Sequence, residues 1–289
     1  MIGQLLVSGI AVGSIYALLG LALVLIHKAT DVVNFAQGEM SMFSTFIALA
    51  MLEHLDLPLW VVFGLAFPVG ALFGALIETL FIRPMAGAPS VNLLIVAIGL
   101  FIVFNNLAGW IWGFDPYKFP SLFSPDPIVF AGARASPNTI GVIAIAFAIM
   151  AGLYLFFEKT REGTAMRAAS QSPEAARLMG INVRRVSTMA WGLAGGIGMI
   201  SGMLIAPLIF LDNELMVSVL LKAFAGAIMG GFNSLPGAIV GGLFIGVAEV
   251  LFSAYVSTAF KDSFAFLIII AVLMFRPTGL FTRIGTQKV

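Results

Sequence analysis

EKTREGTAMRAASQSPEAARLMGINVRRV, residues 158–186, is the one long polar stretch between hydrophobic spans. It carries six of the fifteen Lys and Arg residues: Lys159, Arg161, Arg167, Arg177, Arg184 and Arg185. A loop that basic beside membrane spans belongs on the cytoplasmic side. Within it, Ser172 is placed to cap a helix whose first position is Pro173, and Gly180 to end that helix in the left-handed conformation. The short helix expected over residues 173–179 has two readings at this point. One is a membrane-surface helix that obeys the charge rule; the other is a rigid knob presented to a cytosolic partner.

The surroundings of that loop are apolar. With 289 residues, 60% hydrophobic and 10% charged, and a mean hydropathy of +1.06, the chain has too much apolar surface for one soluble core. The expected fold is an all-α, polytopic transmembrane helical bundle forming a single membrane domain over 1–289, with 158–186 as a loop within it. The net charge of +1 gives no reason to invoke nucleic acid. Cysteine is absent, which removes disulfides, thiol chemistry and cysteine-held metals. No phosphate-binding GxxxxGK[ST] loop occurs, so any ATP hydrolysis falls to another chain. No cofactor, metal site or catalytic group is expected, and the two histidines, His27 and His54, fall at span ends on opposite sides, where interface residues snorkel. The start, MIGQLLVSGI, lacks the basic region of a signal peptide, so the first span is expected to be retained.

Hydrophobic segments fall near 4–26, 36–53, 58–82, 91–113, 138–157, 187–211, 215–231, 235–255 and 263–275. A crossing needs about 20 residues. The seventh and ninth are shorter, so eight spans plus a re-entrant element competes with nine. With the basic loop inside, Lys28, Arg83, Arg276, Arg283 and Lys288 also fall inside, and only Lys118, Arg134 and Lys261 outside. This predicts the N-terminus outside and the C-terminus in the cytoplasm. Five prolines between Phe114 and Pro137 argue for a non-helical outer cap. No tandem repeat is evident.

Three further features stand out. Glycines at four-residue spacing (Gly192/Gly196, Gly198/Gly202, Gly226/Gly230, Gly237/Gly241, Gly242/Gly246) predict close helix packing in the second half. The polar break Thr30–Glu39 reads either as a helix start capped by Asn34 and Gln37, with Glu39 in the first turn, or as unwound backbone in which Asn34, Gln37 and Glu39 line a translocation path. Lys222 lies twelve residues before the inner turn at Ser234 and Glu249 fifteen after it. The mismatch is about 4.5 Å at 1.5 Å per residue, within reach of a lysine, so the two are expected to form a buried ion pair.

NFAQGEM at 34–40, the block 161–186, AFAGAIMGGFNSLPGAIVGG at 223–242 and RPTGLF at 276–281 together resemble the branched-chain amino acid ABC transporter permease family, over almost the whole chain. NFAQGEM is similar to the first of that system's two permease types. Glu174-Ala175-Ala176, followed by Arg177, Gly180 and Ile181, resembles the motif by which ABC permeases engage their ATPases, and this selects the docking reading of 173–179. The sequence departs from the family at Phe232-Asn233, where Leu-Gly is more usual, and at Thr282 in place of glycine. The resemblance implies an importer in the bacterial inner membrane: a second homologous permease, two ATP-binding subunits and an extracytoplasmic binding protein supplying leucine, isoleucine or valine. It also leaves open a permease for an amide, urea or an aromatic acid. A secondary transporter would need its own coupling-ion site, and none is visible.

Overall fold

The computed structural model of the chain describes residues 2–85, 87–130, 133–276 and 279–280. The expectations placed on Pro277, Phe281, Thr282, Arg283 and Lys288 lie outside the described residues. Helices α1 (Ile2–Thr30), α2 (Gln37–His54), α3 (Leu59–Ile77), α4 (Ser90–Trp112) and α5 (Pro137–Lys159) precede the basic loop. The loop itself holds two helices, α6 (Arg161–Gln171) and α7 (Pro173–Leu178). After it come α8 (Val183–Ile209), α9 (Val217–Gly230), α10 (Leu235–Tyr255) and α11 (Lys261–Phe275). The proline-rich segment after α4 is non-helical and contains a small antiparallel hairpin, Ile128–Phe130 with Ala133–Ala135.

All nine expected hydrophobic segments are helical, but they are not equivalent. Among the described residues, six helices are long and apolar enough to cross a bilayer: α1, α3 with its extension to Met85, α4, α5, α8 and α10. The extension of α3 is a π turn, Glu78–Ile82, followed by a 3-10 turn, Arg83–Met85. At 18, 14 and 15 residues, α2, α9 and α11 reach about 27, 21 and 22 Å. These fall short of the roughly 30 Å hydrocarbon core.

The bundle is organised around α1, in which every residue from Gly13 to Ile26 is buried. A helix apolar on all sides can face either lipid or other helices, and α1 is enclosed by α5, α8, α9 and α10. Its tightest crossing is with α10. Gly13 faces Leu243 and Gly246 faces Gly13, each so closely that a Cβ would meet backbone. The pair α3 and α8 repeats this arrangement, with Gly70 against Gly195 and Gly74 against Trp191. In both pairs the residue numbers rise in opposite directions, so the helices are antiparallel.

These two crossings are halves of an inverted repeat. The helices α1, α2, α3 and α4 correspond to α8, α9, α10 and α11: α1 packs on α10 as α8 packs on α3, α2 on α8 as α9 on α1, and α2 on α4 as α9 on α11. Gln37, Ser41 and Thr45 step along Ala194, Gly198 and Gly202, so α2 runs parallel to α8. Phe35 meets Phe224 and Gly38 meets Leu220, so α2 and α9 run in opposite directions. The sequence trace of the repeat is slight: Gly70-x3-Gly74-x3-Glu78 against Gly242-x3-Gly246-x2-Glu249.

The glycine pairs expected in the second half do mark contacts, with Gly226 against Gly242 and Gly230 against Gly237. In lipid such approaches supply packing where the hydrophobic effect between helices is absent. A Gly246→Val substitution is therefore expected to destabilise the purified protein by about 1–3 kcal/mol through overpacking. Gly152→Val, at a site open to 4 Å, should leave the thermal midpoint unchanged. Equal midpoints for the two variants would contradict this packing.

Candidate functional site

The polar break after α1 is a true interruption. Asp31 adopts φ 58° and residues 31–36 are non-helical. Helix α2 then begins opposite Ala194, the twelfth residue of α8, about 16 Å along that helix. The second half repeats this: α8 ends at Phe210 (φ 69°), residues 210–216 are non-helical, and α9 starts where Gly38 abuts Met216 and Leu220. Two half-helices thus begin at one level and point away from each other. Irregular backbone at such depth is tolerated only against protein or water.

Asn34, Gln37 and Glu39, the residues singled out in the break, are all buried, at 2%, 0% and 1% exposure. The expected capping by Asn34 and Gln37 is corrected. Ala36 occupies the cap position with no side-chain cap, because the turn Asn34 makes with the Ala36 N–H (3.0 Å) starts the helix two residues later than a cap at Asn34 would require. Gln37 donates to the Ala194 carbonyl at 3.1 Å, joining α2 to α8. Glu39 accepts from Asn105 Nδ2 at 3.4 Å, and Asn105 and Asn213 exchange two amide–backbone bonds of 2.9 and 3.0 Å. That clasp fastens the second non-helical segment to α4. Asn105 and Asn213 carry no local signal in the sequence, and only the fold brings them to Glu39.

The basic loop is a capped, stepped module. Thr160 caps α6, Ser172 caps α7 through the Ala175 N–H at 3.2 Å, and Asn182 caps α8. Gly180 has φ 80°, the left-handed region that a Cβ resists. The 11-residue α6 went unanticipated because its apolar face is short. Glu174, Ala175, Arg177 and Gly180 are exposed, whereas Ala176 is 4% exposed and packs into the chain's own body. Ala176, a member of the motif, therefore faces the bundle and not a partner. Two residues not singled out, Leu178 and Met179, are instead 89% and 83% exposed. Beside this module lies a cavity of about 1660 Å³ lined by Lys28, Arg83, Arg167, Arg177 and Arg184 among others. Its wall shares Thr30, Ile82 and Leu93 with a crevice that reaches Asn34.

Lys222 and Glu249 are buried, with Nζ 2.6 Å from Oε1. Two partners complete the cluster. Asp262 Oδ1 of α11 lies 2.7 Å from the same ammonium, and the Tyr16 hydroxyl of α1 donates to Glu249 Oε2 at 2.8 Å. One side chain of the half-helix α9 is thereby tied to α1, α10 and α11. At the repeat-related position, Glu78 accepts from Arg83 and from Thr188 of α8. Phe232, the departure in the inner turn, packs its ring on His27 and Phe224, and Gly231 supplies the turn with φ 95°. His27 and His54 join no group of metal-binding side chains among the described residues.

A family model described as branched-chain amino acid transport system / permease component matches residues 5–273. The permease LivH of Salmonella typhimurium is 32% identical over 99% of this chain and 97% of its own length. BraD of Pseudomonas aeruginosa is likewise 32% identical with the same coverage. Both are named as high-affinity branched-chain amino acid transport system permease proteins. Among solved structures, PsaBC from Streptococcus pneumoniae in complex with Fab superposes with a TM-score of 0.52 over 96% of this chain and 92% of that one, at 15% identity, a likeness of fold alone. With six apolar helices long enough to span a bilayer and this full-length likeness, the chain is a multi-pass membrane protein and belongs to the branched-chain amino acid transport system permease family of ABC importers.

Proposed function

We propose that the chain is the membrane permease of an importer for leucine, isoleucine and valine, working with a second homologous permease, two ATP-binding subunits and an external binding protein. The observation that carries this reading is likeness over 99% of the chain to permeases named for branched-chain amino acid systems. The whole of 1–289 acts as one membrane domain of eight to nine passes in the bacterial inner membrane. The N-terminus lies outside and the C-terminus and loop 158–186 in the cytoplasm. The charge bias of the loops favours that orientation.

In this reading α7 couples to an ATP-binding subunit. Glu174, Ala175 and Arg177 form its outward face, Ala176 seats it, Gly180 sets its exit angle, and Leu178 and Met179 are its apolar anchors. Solute passes Asn34, Gln37 and Glu39 where α2 and α9 begin, and leaves by the crevice and the cation-lined cavity. The pair Lys222–Glu249 holds α9 in register and binds no solute.

Reconstitution with the ATP-binding subunits and binding protein in liposomes tests the assignment. ATP-dependent uptake of labelled leucine, absent without the ATP-binding subunits, is expected. Uptake of an amide, urea or an aromatic acid instead, or uptake driven by a proton or sodium gradient alone, would overturn it.

A further inference from the structure

We propose that Glu39, with the free Oδ1 of Asn213, receives the ammonium group of an α-amino-acid solute at the junction of α2 and α9. This rests on the transport reading above and adds to it the group that recognises the solute inside the permease.

Among the described residues Glu39 has no counter-ion. It is 1% exposed, and its hydrogen-bond partner is a neutral amide at 3.4 Å. The charged side chain close enough to act on it, Glu214, is another carboxylate. Lys222 is the one buried lysine or arginine among the described residues, and Glu249 and Asp262 hold it at 2.6 and 2.7 Å. A buried carboxylate left so short of donors is costly, and a proton or a cation relieves it.

A second observation points the same way. Asn213 is 6% exposed and uses its Nδ2 and its backbone carbonyl on Asn105, yet its buried Oδ1 has no partner among the described residues. Around this clasp the unmet capacity is therefore all acceptor. An ammonium brings three donors and no acceptor, which matches that set. The positive ends of α2 and α9 meet at the same level and favour the other end of a zwitterion, the carboxylate. A neutral amide or urea offers no charge for Glu39 to meet. The Asn105–Asn213 clasp closes the place in this conformation, so the solute arrives when α4 and residues 210–216 part.

The reconstituted importer tests this with two variants. Glu39→Gln keeps the shape and the bond to Asn105 but removes the charge; Glu39→Asp keeps the charge. Leucine uptake is expected to fall about tenfold or more in Glu39→Gln, the size of one charged hydrogen bond. Recovery of the complex should be unchanged and its thermal midpoint no lower, since the costly buried charge is gone, and Glu39→Asp should regain part of the uptake. Uptake near the unsubstituted level in Glu39→Gln overturns the proposal. So does loss of uptake that tracks a lowered midpoint, or that Glu39→Asp leaves unrelieved, since each marks a structural role. If the unsubstituted importer takes up no leucine, the transport reading fails first, and the two failures are distinct.

Discussion

Leu178→Asp is expected to abolish stable recovery of the ATP-binding subunits with the permease, and uptake with it, while the permease still inserts in the membrane. The expectation follows from exposure. An 89% exposed leucine beside an 83% exposed methionine, at the end of a six-residue helix fixed by Ser172 and Gly180, makes an apolar tip on a polar loop. An apolar anchor that acts as the hot spot of an interface contributes about 2 kcal/mol or more, a loss of roughly 30-fold in affinity. A charge at that tip also has to be desolvated on docking. Glu174→Lys is expected to uncouple ATP hydrolysis from uptake by a different route, because it sets a cation against the positive end of α7 and reverses the charge of the outward face. Ala176→Trp acts differently again. It unseats α7 from its own bundle and should lower the yield of folded permease. Co-purification with the ATP-binding subunits, scored beside uptake, separates the three. Normal recovery and uptake in Leu178→Asp would remove α7 from the docking surface.

The ion cluster supplies the second large effect. Lys222→Met leaves two carboxylates facing each other without a cation, and removing one partner of a buried pair costs about 3–5 kcal/mol. Glu249→Gln is milder, because Asp262 still holds the ammonium at 2.7 Å. The double variant Lys222→Met/Glu249→Gln lies between them: only Asp262 is left, and its side chain is 58% exposed. The expected order of thermal midpoints is Glu249→Gln highest, the double variant next and Lys222→Met lowest. A double variant no more stable than Lys222→Met would contradict the pairing.

What the sequence displayed were features with local or arithmetical signatures. Ser172-Pro173 and Gly180 bracket a helix that the structure ends at Leu178, one residue short of the expected span. Counting outward from Ser234 brought Lys222 and Glu249 within a lysine's reach of each other, and their charged groups are 2.6 Å apart. Asp262 escaped that count because it lies beyond a further turn, residues 256–260, whose course no periodicity fixes. Tyr16 escaped it because α1 is apolar on every face and gives no hint of which side meets α10. The inverted repeat was invisible for a related reason. In lipid almost any apolar residue serves a span, so the halves need share only the small residues at crossings and one acid. The buried side of α7 was unreadable too, since six residues are too few for an amphipathic pattern to point.

Passage of solute where α2 and α9 begin can be measured directly, because the chain is free of cysteine. Single cysteines at Asn34 and Gln37, in the complex with its ATP-binding subunits, can be challenged with a small water-soluble thiol reagent in the nucleotide-free and ATP-bound states. Both positions are expected to react, at rates that differ between the two states, as water reaches the junction in only part of the cycle. Thiols inert in every state would place the path elsewhere.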